Sequence, residues 1–256
     1  MQIPVAVLDM DGTLHPGFLA RTMVRELRTL PGADHAAANA ALEHLRRYAA
    51  REISHEACAR GFYAAYARAL YGLRAPLLRE AGVRAWQRER AALFPHARPL
   101  VAALRAHGLV TCLISGSPVE VIAPAATDLG VDRFWGAVPE LCAGAATGRL
   151  LRGPALPGGK GAVLTELGRE MTVDWAASLA VGDSSSDVET LEQVGLPLAF
   201  EPDPVLHRVA RSRGWPVENR DTLLNAVHRL LDGPRPCVPR RDPQVTQRSR
   251  ARTTES

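Results

Sequence analysis

Two aspartates stand two residues apart in Asp9-Met10-Asp11-Gly12-Thr13-Leu14, directly after the apolar run from Ile3 to Leu8. Carboxylates spaced this way just past a strand end can both face one small site. One can attack phosphorus, splitting a hard displacement into two easier steps. The other can hand a proton to a departing alcohol and later take one from water. Gly12 allows the tight backbone turn this needs. Taken alone, the string also reads as an ordinary polar loop start.

Three more strings follow. Leu113-Ile114-Ser115-Gly116-Ser117 sets a hydroxyl and main-chain N–H groups at a strand-to-helix turn, a cradle for phosphate oxygens built by Ser115 and Gly116. Gly158-Gly159-Lys160-Gly161 precedes a helical pattern, and Lys160 is the only lysine in the chain. A compact ammonium is a point charge suited to phosphate, and it would offset crowded carboxylates. Val181-Gly182-Asp183-Ser184-Ser185-Ser186-Asp187 adds two acids, the hard oxygen ligands of a Mg2+ site. At Asp187 a helix cap followed by a polar turn would look the same.

Side chains so distant in sequence need a scaffold to gather them. Val110 to Ile114, Ser178 to Val181 and Leu196 to Phe200 are apolar runs like the first, as expected of strands buried on both faces. Helical patterns at 99–107, 119–129, 161–169, 187–194 and 204–213 fall between or after the later runs. Strands alternating with helices predict an α/β protein with a parallel sheet, its ligands beyond the carboxyl ends of the strands. The first three runs end in the strings above. From about residue 15 to 94 no strand is legible. Leu42, Leu45, Tyr48 and Ala49, then Tyr63, Tyr66 and Leu70, keep helical spacing. This predicts a helical insertion that overhangs the same edge and can act as a lid. The expected division is a core of 1–14 plus 95–232, the insertion 15–94, and a basic tail 233–256.

In this order, the four strings resemble those of the haloacid dehalogenase-like phosphatase superfamily, and the resemblance spans roughly residues 3–232. It implies a Rossmann-like parallel-sheet core with a helical C1-type cap inserted after the first strand. It implies a phosphoric monoester hydrolase with Asp9 as nucleophile, an aspartyl-phosphate intermediate and Asp11 as general acid and base. Ser115, Gly116 and Lys160 would bind phosphate. Asp9, Asp183 and the main-chain carbonyl of Asp11 would hold Mg2+, with Asp187 behind them or acting through a water. The insertion, together with Asp187-Val188-Glu189-Thr190-Leu191, Glu201-Pro202-Asp203-Pro204 and Arg213-Gly214-Trp215, is similar to the SerB-like, phosphoserine phosphatase-like branch, subfamily IB. That branch carries a glutamate for the serine ammonium where this chain has Phe18, which puts phosphoserine in doubt. Glu26 is a possible replacement from one helix further on. Phe18, Arg51 and Arg60 are substrate candidates, with Glu52, His55, Tyr63 and Tyr66 beside them. Alternatives remain open: a phosphoserine or histidinol phosphate phosphatase, a phosphomutase, or a catalytically silent binding homologue. Asp11 argues against a dehalogenase, which needs no leaving-group acid. A receiver-like domain shares the acidic pocket but needs no helical insertion.

Composition narrows the partners. With 46% hydrophobic and 23% charged residues, the 256-residue chain reads as an ordinary globular protein. The formal charge of +4 resides wholly in 234–256, where six arginines meet two acids, so residues 1–233 sum to zero. The tail, rich in Pro, Arg, Ser and Thr, is expected to be disordered. Specific nucleic-acid binding prefers a basic face on the folded part, and the composition of a net-neutral one lends that no support. No stretch reaches the ~18 apolar residues of a membrane span, and the N-terminus lacks the pattern of an export signal. A cytoplasmic protein acting on a small phosphorylated metabolite is the expectation. Cys58, Cys112, Cys142 and Cys237 form no zinc pattern.

Overall fold

Val5, Ala6, Val7 and Leu8 are all buried, and the strand they form, β1 (Val5–Leu8), lies in the middle of a seven-stranded sheet. A run with no polar side chain offers no face to water, so it is stable only where both faces are covered. In the computed structural model, which describes residues 2–233, β1 pairs in parallel with β2 (Val110–Pro118) and β5 (Leu179–Gly182). Outside β2 lie β3 (Arg133–Cys142), parallel to it, and β4 (Ala145–Arg152), antiparallel to β3. Outside β5 lie β6 (Leu196–Phe200) and β7 (Val217–Glu218), both parallel. The order is β4-β3-β2-β1-β5-β6-β7.

Four helices intervene between β1 and the next helix of the sheet layer: α1 (Leu19–Leu27), α2 (His35–Ala49), α3 (His55–Leu70) and α4 (Ala75–Glu89). After them come α5 (Ala97–Ala106), α6 (Val119–Leu129), α7 (Gly159–Glu170), α8 (Val188–Gln193), α9 (Pro204–Arg213) and α10 (Leu223–Asp232). The alternation of β1 decides what covers each face. Ala6 and Leu8 join an apolar cluster that continues through Met10, Met23, Leu27, Tyr66 and Ala125. The inserted helices therefore share one core with the sheet. Val5 and Val7 join a second cluster with Val163, Leu167, Leu191 and Leu206 from α7, α8 and α9.

The insertion is locked to the sheet layer where α4 crosses α6. Pro124 has no N–H to give the carbonyl of Glu120 one turn earlier. That carbonyl faces Gly82 of α4, where an added Cβ would stand 1.9 Å from the oxygen. Within the insertion, Asp34 and Ser54 cap α2 and α3 by accepting the N–H groups of Ala37 and Ala57.

The β3–β4 hairpin, β7 and α10 were not legible in the sequence. The hairpin turns at Ala143-Gly144, with φ of +50° and +78°. Such turns ordinarily announce themselves with Asn-Gly or Asp-Gly, and Ala143 hides this one. Strand β7 is two residues long and pairs only with β6. The expected character of the tail, and Cys237, lie outside the described residues. Cys58 and Cys112 are buried and Cys142 is exposed, all three unbridged. No helix among the described residues is long and apolar enough to cross a membrane.

Candidate active site

Asp9 leaves the end of β1 with its main-chain N–H donated to Val181 of β5. Its Oδ1 stands 2.5 Å from Lys160 Nζ, and the same ammonium reaches Asp187. Lys160 is 2% exposed, so this is a buried ion cluster. The loop that delivers it is fastened twice. Gly158 and Gly161 donate their N–H groups to Glu189 at 3.0 and 2.8 Å. At Gly159 a side chain would overlap the carbonyls of Gly153 and Pro154.

Asp11 sits between two elements. Its Oδ1 accepts the N–H of Leu19 at 2.7 Å, at the start of α1, where the helix dipole favours negative charge. Its Oδ2 accepts the hydroxyls of Ser115 at 3.1 Å and Ser117 at 2.6 Å. Ser117 in turn accepts the N–H of Ala20. Strand β2 runs through Pro118 with its register to β3 shifted between Ile114 and Pro118, and the hydroxyls of Ser115 and Ser117 both still reach Asp11.

The third acid, Asp183, follows β5. Its Oδ1 accepts the Thr13 hydroxyl at 2.9 Å. Its Oδ2 lies where a Cβ at Gly12 would approach within 2.1 Å, and Gly12 also adopts φ +99°. The fourth acid, Asp187, has both oxygens committed. Oδ1 faces Lys160, and Oδ2 accepts the N–H groups of Asp183 and Ser184 and the Ser184 hydroxyl. Asp9 Oδ2 and Asp183 Oδ2 are left without hydrogen-bond partners among the described residues.

The charges do not balance. Burial pushes Asp9 up to about 8, with Lys160 pulling the other way. Burial likewise holds Asp11 above, and Asp183 well above, the usual carboxylate range, and the Asp9 and Asp187 charges add to the rise at Asp183. Burial alone would depress the Lys160 ammonium, but Asp187 and Asp9 outweigh it and hold that pKa above its ordinary value. Asp9, Asp183 and Asp187 each bring a carboxylate oxygen within 4.8 Å of the others. Among the described residues, one ammonium is the only cation in salt-bridge reach of them. All-oxygen donors with excess negative charge fit a hard divalent ion such as Mg2+. The Asp11 carboxylate is not one of the three.

A cavity of about 320 Å³ opens above this cluster. Asp9, Asp11, Asp183, Gly116 and Ser117 form its sheet-edge side, and Phe18, Tyr48, His55, Phe62 and Tyr63 its insertion side. Tyr63 is also a clamp. Its hydroxyl donates to the Gly116 carbonyl at 2.8 Å and accepts the Ala155 N–H at 3.1 Å.

Phe18 lines the cavity, but two other substrate candidates do not. Arg60 pairs with Glu56 one turn away on the exposed face of α3. Arg51 occupies a left-handed turn after α2, away from the lining. Glu26 is buried beneath Arg84 and Arg88 and cannot serve the cavity. Tyr66 is wholly buried against Phe62 and Glu120. His15 is buried with Nε2 3.2 Å from Glu89, and His96 braces the Thr13 carbonyl at 2.9 Å. Sequence reasoning did not single out Thr13, Ser117 and Glu189. Only Ser117 left a readable signal, its alternation with Ser115.

Residues 6–192 match the family model described as haloacid dehalogenase-like hydrolase. The chain is 32% identical over 123 residues to "Phosphoserine phosphatase SerB2" of Mycobacterium tuberculosis, covering 48% of this chain and 30% of that protein. It is 30% identical over 138 residues to "Histidinol-phosphatase" of Neisseria meningitidis, covering 50% of this chain and 61% of that one. The alignments thus span less than two thirds of either relative. A solved structure of a Bordetella pertussis protein of unknown function superposes with a TM-score of 0.69 at 26% identity, covering 86% of this chain and 100% of that chain. The solved structure titled "Phospho-Aspartyl Intermediate Analogue of Phosphoserine phosphatase" matches with TM-score 0.59 at 18% identity, over 88% and 99% of the two chains. It shares the fold. On the match over residues 6–192, the chain belongs to the haloacid dehalogenase-like hydrolase family.

Proposed function

We propose that this chain is a Mg2+-dependent hydrolase of small-molecule phosphomonoesters in which Asp9 is phosphorylated and then released. The observation that carries the reading is the contact of Lys160 with Asp9 at 2.5 Å beneath a cavity that Asp11 also lines. The nucleophile and a separately held carboxyl share one hollow, with the charge partner buried behind the nucleophile. The names of the two curated relatives support the same class of substrate.

The Asp9 carboxylate attacks phosphorus, and the bond from phosphorus to the ester oxygen breaks. Protonated Asp11 gives its proton to the departing alkoxide. The resulting carboxylate is stabilised by Ser115, Ser117 and the Leu19 N–H. Asp11 then takes a proton from water as that water attacks the phosphoryl group. The bond to Asp9 breaks, inorganic phosphate leaves and both carboxyls are restored. Lys160 and the main-chain N–H groups at Gly116 balance charge on the phosphoryl oxygens. Asp9, Asp183 and the main-chain carbonyl of Asp11 would hold Mg2+, with Asp187 orienting Lys160 and the 183–184 main chain. When bound, the ion supplies positive charge opposite the phosphoryl oxygens. Residues 15–94 act as the cap over a core of 1–14 and 95–232.

Phosphate release is the test, measured over serine, histidinol, glycerol, sugar and nucleotide monoesters with Mg2+ and with EDTA. Turnover should require the metal. Asp9→Asn should lower kcat by roughly three or more orders of magnitude while the circular dichroism spectrum is kept. Full turnover by Asp9→Asn would falsify the assignment of the nucleophile.

A further inference from the structure

The insertion side of the cavity carries rings and no usable charge. Phe18 and Tyr48 pack at 5.9 Å between centroids, and Tyr48 meets His55 edge-on at 5.6 Å. Leu45 and Phe62 complete this wall. Burial holds the His55 imidazole below its usual range, so near neutrality it presents an uncharged ring.

No arginine of the insertion lines the cavity, and several are held by acids elsewhere. Arg46 is held by Glu43 and Glu52, Arg60 by Glu56, and Arg68 by Asp34. Arg84 and Arg88 share Glu26. Arg21 lies over the Phe18 ring, 5.7 Å from its centroid, and does not line the cavity. The acids that do line it all come from sheet-edge loops. One of these, Asp203, is committed to the N–H groups of Ser185, Val205 and Leu206.

An amino-acid alcohol seated here would have no cation for its carboxylate and no insertion carboxylate for its ammonium. Burying such charges unpaired is costly. A ring or an alkyl group would instead remove apolar surface from water on both sides. We propose that this cavity selects monoesters of uncharged aromatic or aliphatic alcohols over zwitterionic ones, an inference that rests on the phosphatase reading above.

The test compares kcat/KM of the full chain with Mg2+ for 2-phenylethyl phosphate, ethyl phosphate, O-phosphoethanolamine and O-phosphoserine. All four are primary alkyl esters, and the β-ammonium of phosphoethanolamine and phosphoserine makes their alkoxides the better leaving groups, so slower turnover of those two reports the cavity rather than the leaving group. The phenylethyl ester should exceed ethyl phosphate by about tenfold, and phosphoserine should fall below ethyl phosphate. Tyr48→Ala should shrink the phenylethyl-to-ethyl ratio several-fold, roughly the loss of one ring contact, and mainly through KM. Phosphoserine matching or beating the phenylethyl ester overturns the inference and leaves the phosphatase reading standing. Hydrolysis only of some other charged ester overturns the inference alone. No phosphate release from these four or from the broader panel overturns both.

Discussion

Asp11 shows how single atoms set the chemistry. A carboxyl that must be acid in one step and base in the next needs its ionised form supported but not locked. The Ser117 hydroxyl, at 2.6 Å, is its closest side-chain donor and one of the contacts that hold its pKa down against burial. Ser117→Ala should therefore move the pH–rate limb assigned to Asp11 to higher pH, because the charged form loses a donor. The same change should lower kcat by roughly tenfold, read from steady-state phosphate release. The acids and Lys160 could be found in the sequence because each ends an apolar run or stands alone of its kind. Thr13 and Glu189 could not. Thr13 matters because Asp183 arrives beside it from 170 residues away, and no local pattern announces such a neighbour.

Among the elements, the crossing of α4 and α6 gives a test with a diagnostic sign. In an exposed helix interior, Gly→Ala gains about 1 kcal/mol from propensity. At Gly82 the new methyl carbon would fall 1.9 Å from the Glu120 carbonyl oxygen, and backbone cannot step aside as a side chain can. Gly82→Ala should instead destabilise by about 3 kcal/mol, read as a lowered urea midpoint at unchanged slope. Element order was the most readable part of the fold. Buried parallel strands write themselves as short apolar runs, and the four central ones were found in register with the loops that carry the site. The β3–β4 hairpin was not, because only one residue of β4 is buried and its turn uses Ala143 at φ +50°. The fate of Arg60 was in fact readable: Glu56 stands one turn before it on a helical pattern, the i,i+4 spacing of a surface ion pair.

For the molecule as a whole, pH acts not only through the raised acids of the site but also through a buried acid distant from the chemistry. Glu120 of α6 is 8% exposed and meets the Tyr66 hydroxyl of α3 at 3.3 Å. Burial pushes its carboxyl up to about 7. The folded state then holds a proton that the unfolded chain has released, so stability falls as pH rises. The loss begins above the ordinary glutamate range and is complete once pH passes about 7. Its size is roughly 3 kcal/mol from the shift alone. Glu120→Gln should remove this share of the slope, leaving the part due to the raised acids of the site, and make the variant more stable than the parent at pH 8 and nearly equal to it at pH 4. Parallel urea titrations at the two pH values check this. An unchanged difference between pH 4 and pH 8 would show that Glu120 is not the group responsible.

A chain with one lysine, and that one sealed behind two carboxylates, has an unusual relation to enzymes and reagents that seek ε-amines. A lysine-specific endoproteinase has a single bond to cut, Lys160–Gly161 at the start of α7, and the side chain it must grip is buried beneath the cavity floor, behind Asp9 and Asp187. The native protein should resist digestion and yield two fragments only as that floor opens. A simple gel would then report the opening of the centre rather than of the surface, and occupancy by phosphate and Mg2+ should slow the cut.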